Sequence, residues 1–137
     1  MKLLIVIPAK NEEKSIGKVI ADIRSHINTD ILIINDGSDD STEQIALENN
    51  VSVISHVESK GAWLATQTGL RYAYAQGYDM VISMDADGQH CASNIKTLIA
   101  EFNRGRDVVI GSCTSRGSLS RHLAWAFFRK ITGLKIL

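Results

Sequence analysis

The chain has 137 residues, 45% of them hydrophobic, and its 15 basic residues balance its 15 acidic residues. This length and apolar content suit one domain with a buried core, and the zero formal charge gives no sign of nucleic-acid binding. Two cysteines without CxxC spacing, Cys91 and Cys113, argue against disulfides or a zinc site. With no membrane-spanning run or signal-peptide pattern, we expect a cytoplasmic protein, soluble or associated with the inner face of the membrane.

The first half of the chain alternates between strand and helix patterns. Lys2–Pro8 predicts a buried strand, and apolar residues at helical spacing over Ile16–Ile23 predict the helix that follows it. Asp30–Asn35 predicts a second strand. A second helix is predicted to begin at Ser41, where Gln44 would complete a capping box.

The second half continues the alternation. Val51–Ser55 predicts a third strand, and the Ala- and Leu-rich segment Ala62–Gln76 predicts a helix. Met80–Met84 predicts a fourth strand, Ile95–Phe102 another helix, and Val108–Ser112 a fifth strand. Strands that alternate with helices in this way predict an α/β domain with a mainly parallel sheet and helices on both faces.

Polar clusters follow three of the predicted strands, at Lys10–Glu13, Asn35–Ser38 and Asp85–Asp87. In open α/β sheets, ligands bind at the carboxyl ends of the strands, so the three clusters are expected to converge on one site. The turn Pro8–Glu13 contains no glycine, and the sequence has no GxxxxGK[ST] motif. These two observations exclude a Rossmann oxidoreductase and a P-loop NTPase.

Asp85, Asp87 and Gln89 offer the oxygen ligands that a hard divalent cation prefers. A cation that bridges a diphosphate would neutralise charge on a departing nucleotide, which indicates transfer from an activated nucleotide donor. Taken alone, the two aspartates also fit a polar turn with a helix N-cap, and Asp36 to Asp40 fits ordinary turn chemistry. Glu13 is expected to complement a helix dipole and not to bind a ligand.

Three segments resemble successive signatures of family 2 glycosyltransferases with the GT-A fold. They are Ile7–Glu13, Ile33–Thr42 and the DxD-containing Met84–His90, and the resemblance runs in order from residue 2 to about residue 112. The most similar branch contains dolichyl-phosphate mannose synthase-like and polyprenyl-phosphate glycosyltransferases. The order of the three motifs makes the resemblance more specific than any one of them.

The resemblance implies site residues for this chain. Asp87 and Gln89 would hold Mg²⁺ or Mn²⁺, and Asp85 and Asp87 would serve catalysis. Ile34 and Asp36 would contact the base, with the Asp36 carboxylate accepting a hydrogen bond from a ring N–H. The complete set implied for nucleotide binding is Pro8, Ala9, Lys10, Glu12, Ile34, Asp36, Lys60, Asp85 and Ala86.

The resemblance also divides residues 1–137, a single GT-A-like domain, into a nucleotide-sugar-binding half, 1–112, and the incomplete start of an acceptor-side region, 113–137. Related enzymes often carry a diphosphate-contacting arginine where this chain has Cys113, so that contact is missing unless Arg116 replaces it. Ser115–Leu137 combines basic and apolar residues without an acid. This pattern fits either a helix on an anionic membrane or a helix packed on the protein.

The sequence therefore predicts a metal-dependent, inverting glycosyltransferase. The donor would be a UDP- or GDP-linked sugar, and a polyprenyl phosphate would suit as acceptor. The alternative is a non-catalytic nucleotide-sugar-binding module that results from truncation and self-associates as a homo-oligomer. A nucleotidyltransferase ranks lower because Pro8–Glu13 is not Gly-rich.

Two further residues are given no role in the site. Trp63 is expected in the core or on a covered surface, and His56 has no evident partner.

Overall fold

A four-stranded parallel sheet forms the centre of the computed structural model, which describes residues 1–88 and 91–111. The strand order is β3-β2-β1-β4, with β1 (Leu3–Ala9), β2 (Asp30–Asn35), β3 (Ser52–Ser55) and β4 (Met80–Ser83). The helices are α1 (Ile16–His26), α2 (Thr42–Glu48), α3 (Ala62–Ala75) and α4 (Ile95–Phe102), the last preceded by a 3-10 turn at Ala92–Asn94. The predicted fold class is confirmed. Within the described ranges, no helix combines the length and the hydropathy needed to cross a bilayer.

The two faces of β1 pack against different helices because successive side chains of a strand point in opposite directions. Ile5 and Ile7 belong to the buried cluster that includes the apolar face of α1, whereas Leu4 and Val6 belong to the cluster that contains residues of α3. All four side chains are at most 1% exposed. Burying a side chain of this kind contributes roughly 1.5–3 kcal/mol, so this strand anchors both layers of helices.

The register of the strands brings their carboxyl ends to one edge of the sheet. Ala9 of β1 lies beside Asn35 of β2, and Asn35 lies beside Ser55 of β3. The residues that follow these three strands therefore begin at the same level. β4 pairs in parallel with β1, so the segment that follows β4 reaches the same edge. The polar clusters after β1, β2 and β4 therefore converge, as the sequence predicted.

Two predictions from local pattern are wrong. Residues 108–111 of the predicted fifth strand form no strand, and Val108 and Ile110 are each 75% exposed; Ser112 lies outside the described residues. An apolar run becomes a strand only where a neighbouring strand pairs with it through backbone hydrogen bonds. Residues 108–111 have no such neighbour among the described strands. Trp63 is 71% exposed on α3 and not buried, because the face of the helix toward the sheet is formed by smaller residues.

The close approach of α3 to the sheet depends on Gly69. A Cβ atom added to Gly69 would lie 2.2 Å from Cγ1 of the buried Val6 on β1. Any larger residue must push the helix away from β1 or displace a fully buried side chain.

We expect Gly69→Ala to lower the free energy of unfolding by about 1–3 kcal/mol, because it overpacks the contact between α3 and β1. Urea denaturation would measure this change. Gly17→Ala is the matched control, since a Cβ at that helical glycine meets its nearest neighbour, Ile45, at an ordinary 3.4 Å. Equal stability of Gly69→Ala and the wild type would contradict the close packing.

Candidate functional site

Two turns, one between β1 and α1 and the other between β2 and α2, are joined side by side by five hydrogen bonds of 2.8 to 3.2 Å between backbone N–H groups and side chains. The N–H groups of Asn11, Glu12 and Glu13 donate to the side chains of Ser38, Thr42 and Asp40, and those of Asp39 and Ser41 donate to Asn11 and Glu13. Asn11 adopts a positive φ of 55°, which the short polar side chain of asparagine tolerates. The two turns thus form one rigid rim.

The start of α2 differs in its capping from the prediction. The helix begins at Thr42, but the Ser41 side chain makes no capping hydrogen bond. Asp40 accepts hydrogen bonds from the N–H and the hydroxyl of Thr42 instead. Burial would raise the pKa of Asp40, but the hydrogen bonds from Thr42 and from the N–H of Glu13 outweigh it and lower that pKa. The Glu13 carboxylate accepts the N–H of Ser41, so it serves the start of α2 and not that of its own helix.

Beside this rim lies an open cavity of about 300 Å³. Eight of the predicted site residues line it: Pro8, Ala9, Lys10, Glu12, Asp36, Asp85, Ala86 and Asp87. They come from three turns that are far apart in sequence. Ser59, Gly61 and Ala62 complete the described lining, and sequence reasoning did not identify them.

Two of the predicted site residues, Ile34 and Lys60, do not line this cavity. The Ile34 side chain is completely buried in the cluster that contains residues of α3. Lys60 is exposed, and its contact with the site is the hydrogen bond that its backbone N–H donates to Asp36. Gln89 lies outside the described residues.

The two aspartates after β4 face outward because the residues between them are anchored. Met84 and Ala86 are 5% and 3% exposed and belong to the core cluster that contains α1, whereas Asp85 and Asp87 are exposed. The alternation of the strand therefore continues past its last ladder residue and directs both carboxylates to the rim. Carboxylate oxygens are suitable ligands for a hard divalent cation, so the donor set fits Mg²⁺ or Mn²⁺.

Asp36 is the most constrained residue of the cavity. It is 3% exposed, and its carboxylate accepts four hydrogen bonds of 2.7 to 2.8 Å. The donors are His56 Nδ1, the Ser59 hydroxyl, and the backbone N–H groups of Lys60 and Gly61. Burial alone would raise the pKa of Asp36, but these donors outweigh it and hold that pKa far below its ordinary value.

His56 is a part of the site that the sequence analysis missed. Because Asn35 pairs with Ser55, the next residues, Asp36 and His56, fall side by side at the ends of β2 and β3. Knowledge of the parallel register between β2 and β3 would have pointed to His56, but no local sequence motif reveals that register. Its partner is therefore an aspartate 20 residues earlier in the chain.

We expect Asp36→Asn to lower the free energy of unfolding by about 3 kcal/mol at neutral pH, because it leaves four partly buried donors without their charged acceptor. The loss should shrink as the pH falls below about 4, where an aspartate in the unfolded chain takes up a proton that folded Asp36 does not. Urea denaturation between neutral and acidic pH would measure both effects. Asp79→Asn, at an exposed position, is the control. If the difference in unfolding free energy between the wild type and Asp36→Asn stayed constant across this pH range, an ionised Asp36 would be contradicted.

The chain matches a family profile and several curated proteins. The sequence profile described as Glycosyl transferase family 2 matches residues 4–135. A UDP-N-acetylglucosamine--dolichyl-phosphate N-acetylglucosaminyltransferase of Methanococcus voltae is 36% identical over 128 residues, which cover 80% of this chain and 51% of that protein. A polyprenol monophosphomannose synthase of Mycolicibacterium smegmatis is 28% identical over 90% of this chain and 49% of its own length. The chain thus spans about half the length of these curated relatives.

Solved structures share the fold. Glucosyl-3-phosphoglycerate synthase from Mycobacterium tuberculosis in complex with UDP has a TM-score of 0.76 and 22% identity, over 96% of this chain and 50% of that one. Its complex with Mn²⁺, UDP-glucose and phosphoglyceric acid gives the same values. At this identity the likeness concerns the fold, and it agrees with the predicted GT-A architecture. On the strength of the profile match over most of its length, the chain belongs to glycosyl transferase family 2.

Proposed function

We propose that the cavity binds the nucleotide part of a nucleotide-diphosphate sugar, and that the protein transfers this sugar to a polyprenyl phosphate with inversion. The supporting observation is the convergence of eight predicted residues from three turns on one cavity. The names of the relatives in Methanococcus voltae and Mycolicibacterium smegmatis support the acceptor class. A lipid-phosphate acceptor implies peripheral contact with a membrane.

The charge of the cavity explains why a metal ion would be required. The described residues that line it include four carboxylates, on Glu12, Asp36, Asp85 and Asp87, and one cationic side chain, on Lys10. A diphosphate would be repelled by this excess of negative charge unless a cation came between them. Asp87, together with Gln89, would hold Mg²⁺ or Mn²⁺, as these ions commonly use one or two carboxylates plus substrate phosphates. The bound ion would stabilise negative charge on the leaving diphosphate.

The nucleoside would lie against the β1–α1 turn and Asp36. Pro8, Ala9 and Glu12 would contact it from one side, with Asp85 and Ala86 near the ribose and phosphates. A base N–H can reach the Asp36 carboxylate only by replacing one of its four donors. Two of the donors are side chains, and the His56 ring is also held by Thr68. The Ser59 hydroxyl can turn away without moving the backbone, so the base contact would use the oxygen that Ser59 now occupies.

The described residues contribute to transfer mainly by positioning. Holding the donor between the joined turns and the Asp85–Asp87 segment fixes the anomeric carbon for in-line attack. A polyprenyl phosphate is already an anionic nucleophile, so it needs no general base from this half of the protein. Acceptor binding would then depend largely on regions outside the described residues.

Calorimetric titration of UDP, GDP and their sugar conjugates, with Mn²⁺ and with EDTA, would test the donor site. We expect binding of one of the two nucleotides that requires the metal. Asp87→Ala should weaken it at least roughly tenfold, the loss typical even of groups that only support a metal ligand.

The control is Asp79→Ala, because Asp79 precedes β4 at the opposite end of the sheet from Asp85 and Asp87. Binding that survives both EDTA and Asp87→Ala would contradict the metal assignment. Product formation with a polyprenyl phosphate would then separate a transferase from the alternative, a module that binds the donor without turnover.

A further inference from the structure

We propose that His56 is a positioning residue of the donor site. It orients the Asp36 carboxylate and, through that carboxylate, holds the Ser59–Gly61 segment in place as one wall of the cavity. This inference rests on the proposed function for its consequence on nucleotide affinity. The structural part of it can be tested without any nucleotide.

The His56 ring bridges two elements. Its Nδ1 lies 2.7 Å from Oδ1 of Asp36, and its Nε2 lies 3.0 Å from the hydroxyl of Thr68 on α3. Because an ionised carboxylate only accepts hydrogen bonds, Nδ1 must carry a proton and donate it. The His56 side chain is only 10% exposed, and its backbone N–H donates to the carbonyl of Asn35. The ring is therefore fixed from both β2 and α3.

The Ser59–Gly61 segment is folded around the same carboxylate. Oδ1 of Asp36 accepts from His56 and from the N–H of Lys60, and Oδ2 accepts from the Ser59 hydroxyl and the N–H of Gly61. A carboxylate has about four acceptor positions, so the four donors saturate it. Without His56, Oδ1 would lose a buried charge-assisted bond, and the carboxylate could rotate away from the two backbone donors.

Close packing makes this segment sensitive to such a rotation. A Cβ on Gly37, whose φ is +66°, would lie 2.9 Å from the backbone nitrogen of Ser59, so the segment sits directly on the turn after β2. Ser59 and Gly61 line the cavity, and Gly61 is also the residue that precedes α3. A small shift of the carboxylate would therefore move both the cavity wall and the start of α3.

The two ring nitrogens can be tested separately. In His56→Asn the side-chain amide can occupy the position of Nδ1 and keep the bond to Asp36, whereas in His56→Gln it can occupy the position of Nε2 and keep only the bond to Thr68. His56→Ala removes both bonds. His26→Ala is the matched control, because His26 ends α1 at the other end of the sheet.

The first readout is hydrogen exchange of the Lys60 and Gly61 amides in the whole chain, with thermal denaturation to verify folding. We expect His56→Ala and His56→Gln to accelerate exchange of both amides roughly tenfold or more, as the loss of a hydrogen bond to a charged group implies. His56→Asn should stay close to the wild type. Unchanged exchange in folded His56→Ala, or equal exchange in His56→Asn and His56→Gln, would overturn the proposal.

The second readout is the affinity for UDP and GDP in the presence of Mn²⁺. The dissociation constant should rise about tenfold in His56→Ala and His56→Gln and recover in His56→Asn. Faster amide exchange with unchanged affinity would overturn the role in the donor site. Absence of nucleotide binding by the wild type would refute the proposed function, while the exchange data still decide whether His56 holds the segment.

Discussion

The architecture of the site depends on a buried negative charge. A carboxylate that is removed from water is costly unless hydrogen bonds replace the lost hydration, and Asp36 meets this requirement with four donors. Those donors belong to residues 56 to 61, between β3 and α3. The chain can therefore bury Asp36 only by closing this segment over the end of β2, and the same closure builds one wall of the cavity.

The sheet supplies the frame on which this closure takes place. Its parallel register brings the ends of three strands to a common level, and the five hydrogen bonds between the first two turns make that level rigid. Buried Met84 and Ala86 fix the segment that carries Asp85 and Asp87. A rigid frame of this kind suits a transfer reaction, because the reacting groups must be held in line while charge develops on the leaving group.

The charge of the cavity and its rigidity would have opposite effects on the affinity for a nucleotide donor. Three rigid turns lower the entropic cost of binding, while the excess of carboxylates opposes an anionic ligand. A divalent cation between Asp87 and the diphosphate would reconcile the two. The hydrogen bonds to Asp36 act in the same direction, because they offset a negative charge that would otherwise repel the ligand.

The sequence alone determined the order and type of the first four strands and their helices, because apolar periodicity is a local property of the chain. It also determined the polar clusters after β1, β2 and β4, since short turns after buried strands leave few places for charged residues. Local pattern failed where a partner decides the outcome. Val108 to Gly111 has a strand-like composition, but no strand within residues 1–88 and 91–111 pairs with it. Ser41 has the residue type of an N-cap, although Asp40 caps the helix.

Only the tertiary structure assigned roles to His56, Ser59 and Gly61, because their partner is Asp36, at least 20 residues earlier in the chain. It also separated Ile34, which is completely buried, from the cavity that its neighbour Asp36 lines. The physical reason is common to both cases. A motif records which side chains follow a strand, whereas the parallel register and the hydrogen bonds of a buried charge decide which of those side chains meet.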